Sequence, residues 1–204
     1  MSWLFVEICF FIVGVAYTLH KMLGQQEERT GKRLVILDLN GVFVHRIYNP
    51  SEKDKMRENG IRLDENFVMF IRPYAPQLLE LLFASYPVAI WSSAMKHNMD
   101  NIIKHLLTEA QREKLVGIFD QTHCTTAGFC ENKPTKPKFT KPFANISKLL
   151  PAEFQDARPI FIDDSPDKID KGEELICVPT WNFDRDGMSD SALLSAEFTV
   201  LLGL

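Results

Sequence analysis

Residues 33–43 read RLVILDLNGVF, and this stretch decides the fold. Behind Arg33 the aliphatic residues run continuously from Leu34 to Leu37 rather than alternating with polar ones. Such a run predicts a strand buried on both faces, as in a parallel sheet. It ends in Asp38, Asn40 and Gly41, polar residues at the carboxyl end of the strand, where open α/β sheets bind their ligands. Working outward, PVAIW (87–91) ends in Ser92 and Ser93, RPIFIDD (158–164) ends in Asp163 and Asp164, and ELICV (174–178) is a fourth short strand. Between them YAPQLLELLFASY (74–86) has helical spacing behind Pro73. Residues 95–107 place Met99, Ile102, Ile103 and Leu106 on one helical face. Residues 142–150 and 191–202 also read as helical. Tyr48 to Asn66 and Thr122 to Thr140 read as loop. Strands alternating with helices predict an α/β class domain with a doubly wound, mainly parallel sheet.

The chain has 204 residues, 46% of them apolar and 25% charged, with a net charge of -4. That suits one folded domain of ordinary size and argues against wholesale disorder or a multi-span membrane protein. The acidic balance argues against nucleic acid as a partner, because phosphate neutralisation needs a surplus of Lys and Arg. Four cysteines, Cys9, Cys124, Cys130 and Cys177, are too few for a disulfide scaffold. His123, Cys124 and Cys130 lack a fourth ligand for zinc. Cys177 is expected in a buried strand.

The apolar residues concentrate at one end. Trp3 to Leu19 reads WLFVEICFFIVGVAYTL, with Glu7 as the single charge. As a helix it would extend about 25 Å, close to the short limit for crossing a bilayer. No basic residue precedes the run and no A-x-A-like site follows it, which argues against a signal peptide. The expected organisation is a membrane helix over 1–22, a polar linker over 23–32 and an α/β domain over 33–204. Lys21, Lys32 and Arg33 favour a cytoplasm- or matrix-like side for that domain. The basic stretch containing Lys133, Lys136, Lys138, Lys141 and Lys148 reads mainly as a solvated loop carrying one site lysine.

The strand ends suggest phosphoryl chemistry. Asp38 with Asp163 or Asp164 could hold Mg²⁺, a hard cation that takes carboxylate oxygens. Ser92 or Ser93, ahead of a helix, could bind phosphate oxygens. Lys141 could offset charge on a pentacovalent phosphorus, and Asp38 could be a nucleophile. Each residue alone also suits a cap or a turn. Their joint order at successive strand ends is the specific signal.

The motifs ILDLNGV, VAIWSSAMKHNMD, FDQTHCTTAGF, Lys141-Pro142 and IFIDDSPDK resemble those of the haloacid dehalogenase superfamily. Within it they are most similar to the RNA polymerase C-terminal-domain phosphatases and NLI-interacting-factor-like proteins, over roughly residues 32–184. The resemblance implies a fold without a large cap domain and Mg²⁺-dependent action on phosphoserine or phosphothreonine in proteins. Carried over by position, it implies Asp38 as nucleophile, Ser92 as phosphate-binding hydroxyl, Lys141 as charge-stabilising lysine and Asp164 as metal ligand, with Asp163 orienting its neighbours. Asp38 and the backbone carbonyl of Asn40 would complete the metal set.

One position departs from the pattern. The family has a second aspartate where this chain has Asn40, and that aspartate protonates the leaving alkoxide and then activates water. An amide keeps the shape but exchanges no proton at neutral pH, and loss of a general acid/base costs about 10²–10⁴ in rate. The expectation is a membrane-anchored pseudoenzyme, a phosphatase-like domain serving as a binding or structural subunit of a membrane complex. A phosphatase-like domain on a membrane helix is similar to the receptor subunit of the mitochondrial presequence translocase. That favours the mitochondrial inner membrane over the endoplasmic reticulum or nuclear envelope. The alternative is a Mg²⁺-dependent protein serine/threonine phosphatase acting through an aspartyl-phosphate on Asp38, with a phosphoprotein as partner.

Overall fold

The computed structural model describes residues 32–130 and 133–195. Among the described residues ten strands run in chain order: β1 (Arg33–Leu37), β2 (Val44–Tyr48), β3 (Ile61–Arg62), β4 (Phe67–Ile71), β5 (Val88–Trp91), β6 (Leu115–Phe119), β7 (Thr125–Cys130), β8 (Lys133–Thr140), β9 (Arg158–Asp163) and β10 (Glu174–Cys177). The helices are α1 (Glu52–Lys55), α2 (Ala75–Ser85), α3 (Lys96–Leu106), α4 (Glu109–Glu113), α5 (Ala144–Ser147) and α6 (Phe183–Asp186).

Five strands form one sheet in the order β10-β9-β1-β5-β6, every pair parallel. Leu37 is level with Ile90 on one side and with Ile162 on the other, so three strands end together. Alternate residues of these strands enter different cores, since successive side chains point to opposite faces. Val35, Leu37, Ile90 and Ile162 pack with Leu78, Leu82, Ile102 and Leu106 of α2 and α3. Leu34, Ile36, Trp91 and Phe161 pack on the other face with Ile146, Leu150 and Phe154. Coverage of both faces is what the unbroken aliphatic run at 33–37 requires. Two small antiparallel units, β2-β4-β3 and the β7-β8 hairpin, are inserted between the parallel strands.

Several local expectations are corrected. The stretch 33–43 is a strand only to Leu37, and the chain then turns at 41–43 into β2. The loop expected over 48–66 contains α1 and β3, short elements too polar to show an apolar period. The loop expected over 122–140 contains the β7-β8 hairpin, whose Pro134 and Pro137 lack N–H donors and mask its strand pattern. The fifth parallel strand, β6, lies at a sheet edge and carries Gly117, which dilutes its apolar signal. Cys177 is exposed rather than buried, because β10 is the opposite edge. Residues 192–195 are helical, and the rest of the helix expected to Leu202 lies outside the described residues. The expected membrane helix over 1–22 lies outside them too, as does the linker except Lys32. Among the described residues no helix is long and apolar enough to cross a membrane.

Candidate active site

The sheet order reverses at β1, which pairs with β5 on one side and β9 on the other. This is the topological switch point, where parallel sheets open a crevice beyond their strand ends. Asp38 leaves β1 there, its N–H donating to Ile162 O at 3.0 Å. Ser92 follows β5, and Asp163 and Asp164 close β9. The sheet register thus brings to one edge three of the predicted positions that lie far apart in sequence.

The turn after Asp38 is tight. The N–H groups of Val42, Phe43 and Val44 all donate to Leu39 O, and Gly41 N–H donates to Val44 O at 2.8 Å. Gly41 has φ +91°, and a Cβ there would stand 2.3 Å from Asp164 Oδ2. Glycine is therefore needed twice over, for the backbone angle and for the approach of Asp164. Arg72, with a side chain fully out of solvent, donates to the Val42 carbonyl at 3.1 Å and to the Gly41 carbonyl at 3.4 Å. It also grips Asp190 through Nε at 2.8 Å. Trp181 N–H donates to the same Gly41 carbonyl.

Lys141 arrives from the end of β8. Its N–H donates to Lys168 O at 2.7 Å, and its ammonium donates to Asp163 Oδ2 at 2.6 Å. The ammonium also lies 3.2 Å from Asp38 Oδ1, an ion-pair distance without hydrogen-bond alignment. Asp38 Oδ1 is consequently buried with no hydrogen-bond partner among the described residues. Lys168 stands 3.7 Å from Asp38 Oδ2, 3.6 Å from Asp163 Oδ1 and 3.7 Å from Asp164 Oδ1.

These charges set the protonation states. Burial pushes Asp38 up, but the Lys141 and Lys168 ammoniums outweigh it and hold the carboxyl below the ordinary value, so it is an anion at neutral pH. Burial and then the Asp38 charge push Asp163 up to about 6. For Lys168, burial opposes the charge, yet Asp38, Asp163 and Asp164 together raise it well above the usual lysine range. An ionised carboxylate with one unbonded oxygen is suited to attack an electrophilic phosphorus.

Ser92 is buried, its N–H bonded to Phe119 O at 3.0 Å and its hydroxyl accepting from Ala94 N–H at 3.4 Å. It does not cap α3, whose N-cap is Met95; its hydroxyl instead closes the local turn at Ala94. Asn40 is exposed, and its Oδ1 accepts from Arg46 N–H at 3.2 Å. Asp163 also accepts from Ser165 N–H through Oδ1 at 2.9 Å, which fixes the strand end.

The donor set fits a divalent cation. Asp38, Asp163 and Asp164 each offer an oxygen within 4.8 Å of the others, all of them hard ligands of the kind Mg²⁺ takes. Asp163 is thus a third carboxylate in the group, alongside its bond to Lys141. His123 and Cys124 form no such group among the described residues, and the Cys130 side chain lies outside them; His123 accepts from Asp120 N–H at 3.2 Å and serves the turn there. Within the basic stretch, Lys141 is buried and Lys138 pairs with Asp167 at 2.7 Å. Sequence reasoning missed Lys168 and Arg72. Lys168 stands in the motif IFIDDSPDK, four residues after Asp164, and that spacing was the available signal. Arg72 had none, because its partners Gly41, Val42 and Asp190 lie far away in sequence.

The family model of the NLI interacting factor-like phosphatases matches residues 33–201, most of the chain. The chain belongs to that family. A CTD phosphatase-like protein of Invertebrate iridescent virus 3, 355R, is 23% identical over 190 residues, covering 85% of this chain and 97% of its own length. Two solved structures of Fcp1, an RNA polymerase II CTD phosphatase, share the fold. The fission yeast protein bound to beryllium fluoride gives a TM-score of 0.53 at 15% identity, over 91% of this chain and 54% of that one. The other gives 0.52 at 13% identity, over 91% and 52%. The chain therefore spans about half the length of the Fcp1 chains it matches. NLI interacting factor-like membership accounts for the parallel sheet and for the order of the strand-end motifs. Haloacid dehalogenase-like phosphatases typically use Mg²⁺, and the acidic group here is compatible with it.

Proposed function

We propose that the protein is a membrane-tethered phosphatase-like subunit that binds phosphoryl groups at Asp38 and turns them over poorly. The observation that carries this reading is the contrast at one sheet edge. Asp38 is a buried anion flanked by Lys141, Ser92, Asp163 and Asp164, while the neighbouring acid/base position holds Asn40, bonded to Arg46 N–H.

In the chemistry these residues support, an Asp38 oxygen attacks phosphorus and the bond from phosphorus to the serine or threonine oxygen breaks. Lys141 and the Ser92 hydroxyl offset the charge on the phosphoryl oxygens. The departing alkoxide needs a proton, and water must later lose one to cleave the aspartyl-phosphate. Asn40 supplies neither service. Asp38, Asp164 and Asp163 would hold Mg²⁺, which supplies Lewis-acid neutralisation of the phosphoryl group when bound. The substrate class is a phosphorylated serine or threonine side chain of a partner protein, consistent with the CTD phosphatase-like relatives.

The tether is supported by the apolar run Trp3 to Leu19 and the basic residues Lys21, Lys32 and Arg33 behind it. On this reading the protein is a single-pass subunit of a membrane complex, with the mitochondrial inner membrane preferred to the endoplasmic reticulum or nuclear envelope.

The full chain in mild detergent should bind beryllium fluoride in the presence of Mg²⁺, read by ¹⁹F NMR, and Asp38→Asn should abolish that binding. Its release of phosphate from p-nitrophenyl phosphate should be slow, and Asn40→Asp should raise it by about 10²–10⁴. Fast turnover by the unaltered chain, abolished by Asp38→Asn, would overturn the reading in favour of a working phosphatase. Deleting residues 1–22 should release the protein from carbonate-washed membranes; retention would remove the tether.

A further inference from the structure

Two lysines enter the acidic group, and they are held differently. Lys141 is closed off from solvent, with 1% of its side chain exposed, and bonds Asp163 at 2.6 Å. Lys168 keeps 21% of its side chain exposed and sits 3.6–3.7 Å from one oxygen of each of Asp38, Asp163 and Asp164. Those are ion-pair distances, beyond hydrogen-bond reach. Lys168 is therefore nearly equidistant from the same three carboxylates that offer convergent oxygens to a cation. Its backbone is anchored independently, its N–H donating to Ser165 O and its carbonyl accepting from Lys141 N–H. The side chain can leave without disturbing the turn that carries it.

We propose that Lys168 is a resident counter-ion of the carboxylate triad, competing with a divalent cation for it and swinging out to solvent when the cation loads. The proposal rests on the reading of the triad as a metal site, and not on the fate of the Asn40 step. Three carboxylates and two ammoniums leave a net charge near -1 around the site, against -2 without Lys168. A divalent cation thus meets a weaker field and an ammonium it must displace. The strongly held Lys141 stays in either state. The device keeps three adjacent carboxylates compatible with folding when no metal is present, at the expense of metal affinity.

Isothermal titration of the full chain with Mg²⁺, and of Mn²⁺ by electron paramagnetic resonance, tests this directly. Lys168→Gln should tighten binding of both ions by about tenfold or more, because a unit charge roughly 4 Å away has been removed. Lys168→Arg, which keeps the charge, should not tighten it. Without metal, Lys168→Gln should melt at a lower temperature than the unaltered chain, and Mg²⁺ should restore more stability to it than to the unaltered chain. On the unaltered chain, acylation of Lys168 by an N-hydroxysuccinimide ester, followed by mass spectrometry, should accelerate on adding Mg²⁺ while Lys141 stays protected. That arm needs no variant to fold. Equal affinity in the unaltered chain and Lys168→Gln, or Lys168 acylation indifferent to Mg²⁺, overturns the proposal and leaves the metal site intact. Failure of every variant to bind either ion overturns the proposal together with the metal-site reading.

Discussion

Lys141 and Asp163 lie 22 positions apart in the chain and meet as a 2.6 Å hydrogen-bonded ion pair with each side chain about 1% exposed. The pair joins the end of the β8 hairpin to the end of β9 and fixes the ammonium beside Asp38. Removing one partner would strand a charge away from water. Lys141→Met should destabilise the fold by about 3–5 kcal/mol, the usual consequence of breaking a buried pair from one side. Urea denaturation checks it, and a loss below about 1 kcal/mol would mean that Lys168 takes over as counter-ion.

Gly41 combines φ +91° with 2.3 Å between a virtual Cβ and Asp164 Oδ2. Gly41→Ala should cost about 1–2 kcal/mol through the backbone. By displacing Asp164 it should also weaken Mg²⁺ or Mn²⁺ binding roughly 10–100-fold. Gly172 has φ +110° with nothing near its virtual Cβ. Gly172→Ala should strain the backbone without changing cation affinity, and calorimetry on the two variants separates the effects.

Arg72 ties the turn after Asp38 to Asp190 through its buried guanidinium. Arg72→Met should leave Asp190 without its partner and the Val42 carbonyl without a donor, costing about 3–5 kcal/mol. Limited proteolysis should then cut first near residues 187–191, where the chain loses its anchor. Arg72→Lys should recover only part of the loss, because an ammonium cannot span Asp190 and two carbonyls in the planar geometry that guanidinium provides.

The two central aspartates give opposite pH dependences in the metal-free protein. Burial and the Asp38 charge raise Asp163 to about 6 from 3.8, so between those values the folded chain holds a proton that the unfolded chain has released. This contribution to stability is present at low pH and is lost as pH rises through about 6. Asp38 is opposed by burial but held down by Lys141 and then Lys168, so its contribution is present above 3.8 and lost as pH falls below it. Melting temperature should therefore rise as pH drops from about 7 to about 5 and fall below about 4. Asp163→Asn should remove the rise and keep the acid-side fall; an unchanged profile would show that Asp163 does not titrate in that window.

Much of the fold was legible because burial on both faces leaves a sequence trace. The runs at 34–37, 88–91 and 160–162 have no polar interruption, and each stops at the residue that reaches the site. The elements missed are those whose burial is partial. β6 is an edge strand with mixed exposure, and the β7-β8 hairpin is interrupted by prolines. Motif order likewise made Asp38, Ser92, Lys141 and Asp164 readable as a set before any coordinates. Asn40 could be read as the anomaly only against the aspartate that the resembled family has there.

What the sequence by itself determined was which groups are present: a carboxylate, an amide, a serine, a lysine and an acidic pair at strand ends, plus an apolar run at the N-terminal end. Those follow from local pattern and residue chemistry. Only the tertiary structure decided how the charges are partnered. The lysine that bonds Asp163, the second lysine facing three carboxylates, and the arginine that ties the turn after Asp38 to Asp190 all depend on distances between residues remote in the chain. Electrostatic interaction depends on separation and burial in space, and no local pattern encodes either.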